Sequence, residues 1–171
     1  FPLLPLEMLY SDASPGPVAL LDERQARLWL CNPEALAQGL KPQMAVATAC
    51  SLCPGIQLLG RQSQREPQQL ESLALWASSF SAQVSLQPTD GLLLEVASML
   101  QYFEGLQPLQ QQLQKQLAEL NYSTQWATGH TPLAARILAR QGGFIGSDKD
   151  QHLEALQQLP INALELETKT E

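Results

Sequence analysis

No run of eighteen apolar residues occurs in this 171-residue chain, so it encodes no membrane-spanning helix. No basic-then-apolar leader opens it, and a secretory signal is not expected. Basic residues are scarce: ten Lys and Arg stand against seventeen Asp and Glu, a formal net charge of −7. That is the wrong sign for a stand-alone duplex-DNA binder, which carries a basic face. Cysteine is nearly absent too. Cys50-Ser51-Leu52-Cys53 has the spacing of one zinc-ligand pair, but a structural site takes four ligands, and His130 and His152 lie far along the chain. Two small buried residues of a helix are the better reading of that pair. An odd cysteine count without a leader points to a reducing, cytoplasmic setting. Neither G-x-x-x-x-G-K-S/T nor G-x-G-x-x-G occurs, which excludes the ordinary nucleotide-binding loops.

What is present is a chain with 44% hydrophobic residues, enough for one large domain or two small ones. Pro17–Leu21 and Arg27–Cys31 flank the polar turn Asp22-Glu23-Arg24-Gln25, a hairpin signal. Asn32-Pro33-Glu34 starts a helix, with Asn as cap, Pro in the first turn and Glu at the positive end of the dipole; Gly39 stops it. Pro42 is expected to open a second helix over Met44–Leu52, followed by a strand at Ile56–Leu59. A longer helix is expected from Glu66 to Phe80, with Leu70, Leu73, Trp76, Ala77 and Phe80 on one stripe. Strands are expected near Gln83–Leu86, Leu92–Val96 and Thr124–Thr128. Helices are expected over Leu106–Leu120, Pro132–Arg140 and Asp150–Leu159, the first with a solvated Gln-rich face. Trp29, Trp76 and Trp126 fall in core segments, so burial explains them better than base stacking. Helices packed on one antiparallel sheet make an α+β fold. The opening Phe1-Pro2-Leu3, without an initiator Met, suggests a start inside a longer parent protein, and Gly142-Gly143 marks a boundary.

Ser85 to Val96 reads as a strand, a tight turn carrying one carboxylate at Asp90, and a second strand. Asp-Gly is a common turn pair, so the residues alone favour a turn role for Asp90 over a metal role. Glu95 reads as a solvated strand residue. Arg136 and Arg140 lie four apart on one helix face, and solvation is the simpler reading for both. His130 has no Ser, Cys or carboxylate partner in the pattern for nucleophilic catalysis.

The landmarks in order resemble the Y-family (translesion) DNA polymerases. Gly39-Leu40-Lys41-Pro42-Gln43-Met44 is similar to the family's Gly-Val-Arg-x-x-Met turn, Leu52-Cys53-Pro54 to its Leu-Cys-Pro, and Thr89-Asp90 to its Ser-x-Asp-Glu region. The resemblance runs from Phe1 to about Arg140. It implies a polymerase palm-like antiparallel sheet backed by helices, with a small inserted fingers-like subdomain. The implied parts are a truncated palm start at 1–8, the fingers-like insert at 9–62, the palm-like domain at 63–143 and the start of an incomplete thumb-like domain at 144–171. Asp90 falls on the family's metal-binding Asp, while Gly91 falls on the catalytic Glu beside it. Pro33 and Leu36 fall on the Tyr and Arg that hold the incoming triphosphate, and neither can bind phosphate. Arg136 falls near a phosphate-binding Lys, and Glu95 on a later Asp. The family's first catalytic Asp ends a strand just before the position of Phe1.

These departures, with Phe-Pro-x-Leu-Pro-Leu-Glu at the start and Thr-Pro-Leu-Ala-Ala-Arg near the end, resemble the ImuB branch of polymerase-like proteins. The resemblance implies a non-catalytic adaptor in error-prone translesion synthesis. Its partners would be an error-prone DNA polymerase, a RecA-like accessory protein and the sliding clamp, reached through the parent protein, with damaged DNA gripped by further domains. No cofactor is expected on that reading. The alternative is an active DNA-directed DNA polymerase using Mg²⁺, with Asp90 and Glu95 as its remaining carboxylates.

Overall fold

The computed structural model describes residues 1–10, 16–22, 26–87, 90–160 and 163. The hairpin turn at 23–25 and the position of Thr89 lie outside the described residues.

The first sheet has the order β2-β1-β3, from β1 (Val18–Asp22), β2 (Arg27–Cys31) and β3 (Gln57–Gly60). β1 pairs antiparallel with β2 and parallel with β3, with an irregularity in the register after Leu20. Alternation along β1 sends its side chains to two apolar layers. Val18 and Leu20 pack with Leu6 of the short helix α1 (Leu4–Glu7). Ala19 packs with Ala35, Leu40 and Ala49 of the other layer. That layer is built on α2 (Pro33–Ala37) and α3 (Val46–Leu52).

Asn32 joins this sheet to α2. Its side chain is fully buried; Oδ1 accepts from the N–H groups of Val18 and Ala35, both at 2.9 Å, and Nδ2 donates to the Gly16 carbonyl at 2.6 Å. One side chain thus caps the helix and ties the strand entering beside it. Gly39, with φ +85°, ends α2, and the Leu40 N–H returns to the Ala35 carbonyl.

The helix expected at Met44 begins instead at Val46. Gln43 and Met44 bond to Leu28 of β2, and Ala45 bridges Arg27, so this stretch serves as an edge to the sheet before the helix can start.

The second sheet is the hairpin β4 (Val84–Gln87) and β5 (Gly91–Leu94). Its helices are α4 (Glu66–Ala77), α5 (Leu106–Glu119) and α6 (Pro132–Arg140). α4 stops at Ala77 rather than Phe80, yet Phe80 stays buried with Leu109 and Leu113. Leu70, Leu73 and Leu117 form the adjoining core with Leu4, and Trp76, Leu92 and Trp126 lean on it half-buried.

The Gln-rich face of α5 is not simply solvated: Gln116 accepts from Trp76 Nε1 at 3.0 Å, and on α4 Gln69 donates to the Tyr122 hydroxyl at 2.8 Å. α6 starts at Pro132 as its pattern predicts, with Thr131 Oγ1 as cap to Ala134. Gly129 lets the chain pass against α6, since a Cβ there would lie 2.6 Å from the Ala135 nitrogen.

Residues 124–128 do not form the expected strand. Ala127 makes one parallel bridge to Phe144, with Thr128 N–H to the Phe144 carbonyl at 2.8 Å and Phe144 N–H to the Trp126 carbonyl at 3.0 Å. A strand needs a ladder, and only this short return beyond Gly142 and Gly143 meets the segment. The last helix, α7 (Lys149–Gln157), packs on α6 and is held by His152, whose Nε2 lies 3.0 Å from Thr128 Oγ1. Thr128 gives its hydroxyl proton to the Gly146 carbonyl at 2.6 Å, so Nε2–H of His152 is the donor to it.

Candidate functional site

The hairpin turn, the first residue and α6 meet at Asp90. The Phe1 nitrogen donates to the Asp90 backbone carbonyl at 2.8 Å, so the chain's opening segment lies against the hairpin turn. The Asp90 carboxylate itself faces a cation: Arg140 Nη2 is 3.1 Å from Oδ1. Arg140 reaches it because the last turn of α6 lies against β5. Solvation was the simpler expectation for Arg140, and the fold replaces it with this ion pair. The only sequence signal was its four-residue spacing from Arg136.

Arg136 lies one turn earlier. It and Arg140 line a cavity of about 150 Å³ together with Phe1, Asp90, Gly91 and Trp126. Arg136 Nε and Trp126 Nε1 are both buried there without a hydrogen-bond partner. Arg136 thus stands near Asp90, but the contact to the carboxylate is made by Arg140.

Glu95 is not brought to Asp90. β5 separates them by five residues of extended chain, about 17 Å at a strand's rise. Glu95 lies just beyond the strand, and its carboxylate closes the following turn. Oε1 accepts from the Ala97 N–H at 2.7 Å, and Oε2 from the Ser98 hydroxyl at 2.5 Å. The Ser98 hydrogen bond, followed by those from the backbone, holds its pKa below the usual glutamate value. It is a capping group in this fold, not a free strand residue.

Gly91 opposes Gln87 across the hairpin, where an added Cβ would meet Gln87 Cβ at 3.3 Å. Pro33 and Leu36 lie on the exposed side of α2, with Leu36 48% exposed, and present no donor. Cys53 is buried and Cys50 exposed on α3, so only one of the pair is a core residue. His130 stacks edge-on against His152 at 5.0 Å between ring centres. Among the described residues no group of three or more His, Cys, Asp or Glu is placed to hold a metal ion.

A buried carboxylate that the sequence reading passed over lies behind this site. Glu7 of α1 is 5% exposed; its Oε1 accepts from the Ser123 N–H at 2.9 Å, and Oε2 has no partner. Burial raises its pKa above the usual glutamate value, against the lowering effect of Ser123. No periodicity marks such a residue, because its burial depends on the loop after α5 closing over it.

A helix-backed hairpin with a carboxylate at its turn and a small three-stranded sheet together make an α+β domain. The chain belongs to the impB/mucB/samB family, whose model matches residues 11–140. Solved structures agree on the fold. DinB from Sulfolobus solfataricus superposes with a TM-score of 0.63 at 16% identity, over 92% of this chain and 48% of that one. A ternary complex of Dbh gives 0.68 at 15%, over 93% and 48%. A Y-family DNA polymerase chimera of Dbh and Dpo4 gives 0.64 at 16%, over 92% and 48%. The chain therefore spans about half the length of these polymerases, and at such identity the likeness is one of fold. No curated protein matches it. No helix among the described residues is long and apolar enough to cross a membrane.

Proposed function

We propose that this domain is a non-catalytic, polymerase-derived adaptor in error-prone translesion synthesis, of the ImuB kind. One observation carries the reading: the turn that should present two adjacent acids presents Asp90 and Gly91, and Asp90 is paired with Arg140 at 3.1 Å. Two-metal phosphoryl transfer needs carboxylates converging on ions about 3.5–4 Å apart. A glycine supplies no ligand, Glu95 is engaged at the far end of β5, and a guanidinium occupies the face where a cation would sit. The residues present do not fit a pair of Mg²⁺ ions. Pro33 and Leu36 add no triphosphate clamp, and Arg136, which lines the cavity beside Asp90, is the side chain proposed to touch phosphate.

The four-part division belongs to the same proposal: palm start at 1–8, fingers-like insert at 9–62, palm-like domain at 63–143 and incomplete thumb-like domain at 144–171. So do the partners, an error-prone polymerase, a RecA-like accessory protein and the sliding clamp, met through the parent protein in the cytoplasm.

The test is primer extension by the wild-type parent, run beside a damage-induced mutagenesis assay on an Asp90→Ala strain. Negligible extension with mutagenesis intact supports the adaptor. Robust extension, with mutagenesis abolished in an Asp90→Ala protein that still folds, establishes the active polymerase instead.

A further inference from the structure

The segment between β5 and α5 carries a row of aromatic rings from the core to the surface. Trp76 of α4 lies 5.2 Å from Phe80 between ring centres, Phe80 stacks on Phe103 at 5.9 Å, and Phe103 meets Tyr102 edge-on at 4.9 Å. Phe80 is buried and Phe103 half-buried, while Tyr102, the last of the row, is 78% exposed. An apolar residue standing singly at the surface is ordinary. Tyr102 differs because the ring beside it is itself anchored in the core, so its position is fixed before anything binds. A rigid aromatic with two side-chain torsions loses little freedom on contact, which is what a binding anchor needs.

The backbone holds a second feature two residues on. The turn that begins with Ala97–Met99 closes when the Gly105 N–H returns to the Leu100 carbonyl at 2.8 Å and the Glu104 N–H to the Gln101 carbonyl at 3.5 Å. This is the pairing by which a helix end turns back, and it puts one residue at positive φ, a position that glycine fills most easily. Glu104 fills it, at φ +61°. Its carboxylate is exposed and takes part in no hydrogen bond or ion pair among the described residues. A strained backbone position given to a side chain that does nothing within the fold points to a role outside it.

Charge in this stretch of chain is of one sign. From Glu66 to Gln114 it has five acids, Glu66, Glu71, Asp90, Glu95 and Glu104, and no Lys, Arg or His. Glu66 is held by Arg61, Asp90 by Arg140, and Glu95 caps its own turn. Glu104 is left to face solvent two residues from an exposed ring. Such a face repels a polyanion and attracts a cation.

We propose that Tyr102 and Glu104 are the centre of a docking surface for a basic segment of a partner protein. An Arg of that segment lies against the Tyr102 ring, where guanidinium–ring attraction and apolar contact act together, and places its charge on the Glu104 carboxylate. An apolar neighbour of that Arg covers Phe103, whose half-buried ring is the remaining apolar surface of the row. Nucleic acid has the wrong charge for this face, and a second copy of this chain, itself at −7, is repelled by it. The inference stands apart from the adaptor reading: it holds whether or not the domain carries out synthesis, and its failure leaves the pairing of Asp90 with Arg140 as it is.

The probe is a display library of short random peptides, panned on the 171-residue chain and on its Tyr102→Ala variant. Peptides enriched on the wild type alone are expected to share an Arg next to an apolar residue. The most enriched one, made synthetically, should bind Tyr102→Ala about thirtyfold or more weakly, as truncation of an aromatic anchor does. Glu104→Lys should lose about tenfold and recover when the peptide's Arg is changed to Glu. Glu104→Gly should also lose binding while melting no lower than the wild type, because glycine suits the positive φ; damage to the fold cannot produce that split. Leu52→Ser, on α3 of the other sheet, removes an exposed apolar side chain and should leave binding unchanged. A loss there equal to that of Tyr102→Ala overturns the proposal. So does a library that yields no enrichment over Tyr102→Ala, or that yields acidic sequences. Binding of a labelled DNA duplex that Tyr102→Ala abolishes overturns it in favour of nucleic acid. Self-association that Tyr102→Ala abolishes overturns it in favour of a second copy.

Discussion

At the scale of single residues, the acid at the turn and the acid behind it do different work. Asp90 and Arg140 are both partly open to solvent, and such an ion pair contributes about 0–1 kcal/mol. Asp90→Ala is therefore expected to cost less than about 1 kcal/mol by urea denaturation, which keeps the mutagenesis assay on that variant interpretable. Nucleotide with Mg²⁺ should bind no better than on the order of millimolar, since one paired carboxylate cannot organise a hard cation. Calorimetric titration giving micromolar, Mg²⁺-dependent binding would contradict this. Glu7 has the opposite character, because burial raises its pKa. Between the unfolded value near 4.5 and the raised folded value, the folded state holds a proton that the unfolded chain has lost. Stability attributable to Glu7 thus falls as pH rises through that window. The lowered pKa of Glu95 acts below 4.5 and in the other sense, its contribution being lost as pH falls. Glu7→Gln should flatten the fall above pH 4.5 and leave the acid limb unchanged, as thermal melts across pH would report. Asp90 was legible in the sequence as a turn carboxylate, and Asn32 as a cap. Arg140 as its partner and Glu7 as a buried acid were not, since both roles depend on segments distant in sequence.

Elements were legible where a local signal is sufficient. Pro132–Arg140 begins and ends as its cap and periodicity indicate, and α2 starts at Asn32 and stops at Gly39 for local reasons. Asn32→Ala removes three hydrogen bonds from a fully buried side chain. It should cost about 2–4 kcal/mol, the cap loss adding to buried groups left unpaired. Equilibrium denaturation checks the figure, with Asn32→Asp as a partial replacement that keeps the cap. Elements failed to follow the sequence where a neighbour decides. Met44 has helical company but is taken by β2, and 124–128 has strand composition but only one bridging neighbour. The seat of α6 is similarly tertiary. Gly129→Ala should cost about 1–3 kcal/mol by overpacking, because its Cβ would fall against the backbone of Ala135.

For the molecule as a whole, Arg61 adds a side-chain tie between the three-stranded sheet and α4, beside α1, whose Leu6 packs on that sheet and whose Leu4 packs on the other core. Arg61 lies 3.9 Å over the Trp29 ring and grips Glu66 through two bonds of 2.6 and 2.7 Å, with the Glu66 side chain only 7% exposed. Arg61→Ala leaves that carboxylate buried and unpaired, which should cost about 2–3 kcal/mol. Arg61→Lys should cost less but not restore full stability, because a point charge cannot make the paired contact. Thermal unfolding of the two variants gives the order.

The α+β class, most helices, the hairpin around Asp90 and the glycine that follows it could be read from the amino acids in order. Each of these is set by periodicity, turn chemistry or the identity of a single residue. It took packing to set Arg140 against Asp90, to spend Glu95 on a turn and to bury Glu7. Those facts depend on which surfaces meet when elements pack, and nearest-neighbour pattern along a chain carries no information about the distance between residues fifty or a hundred positions apart.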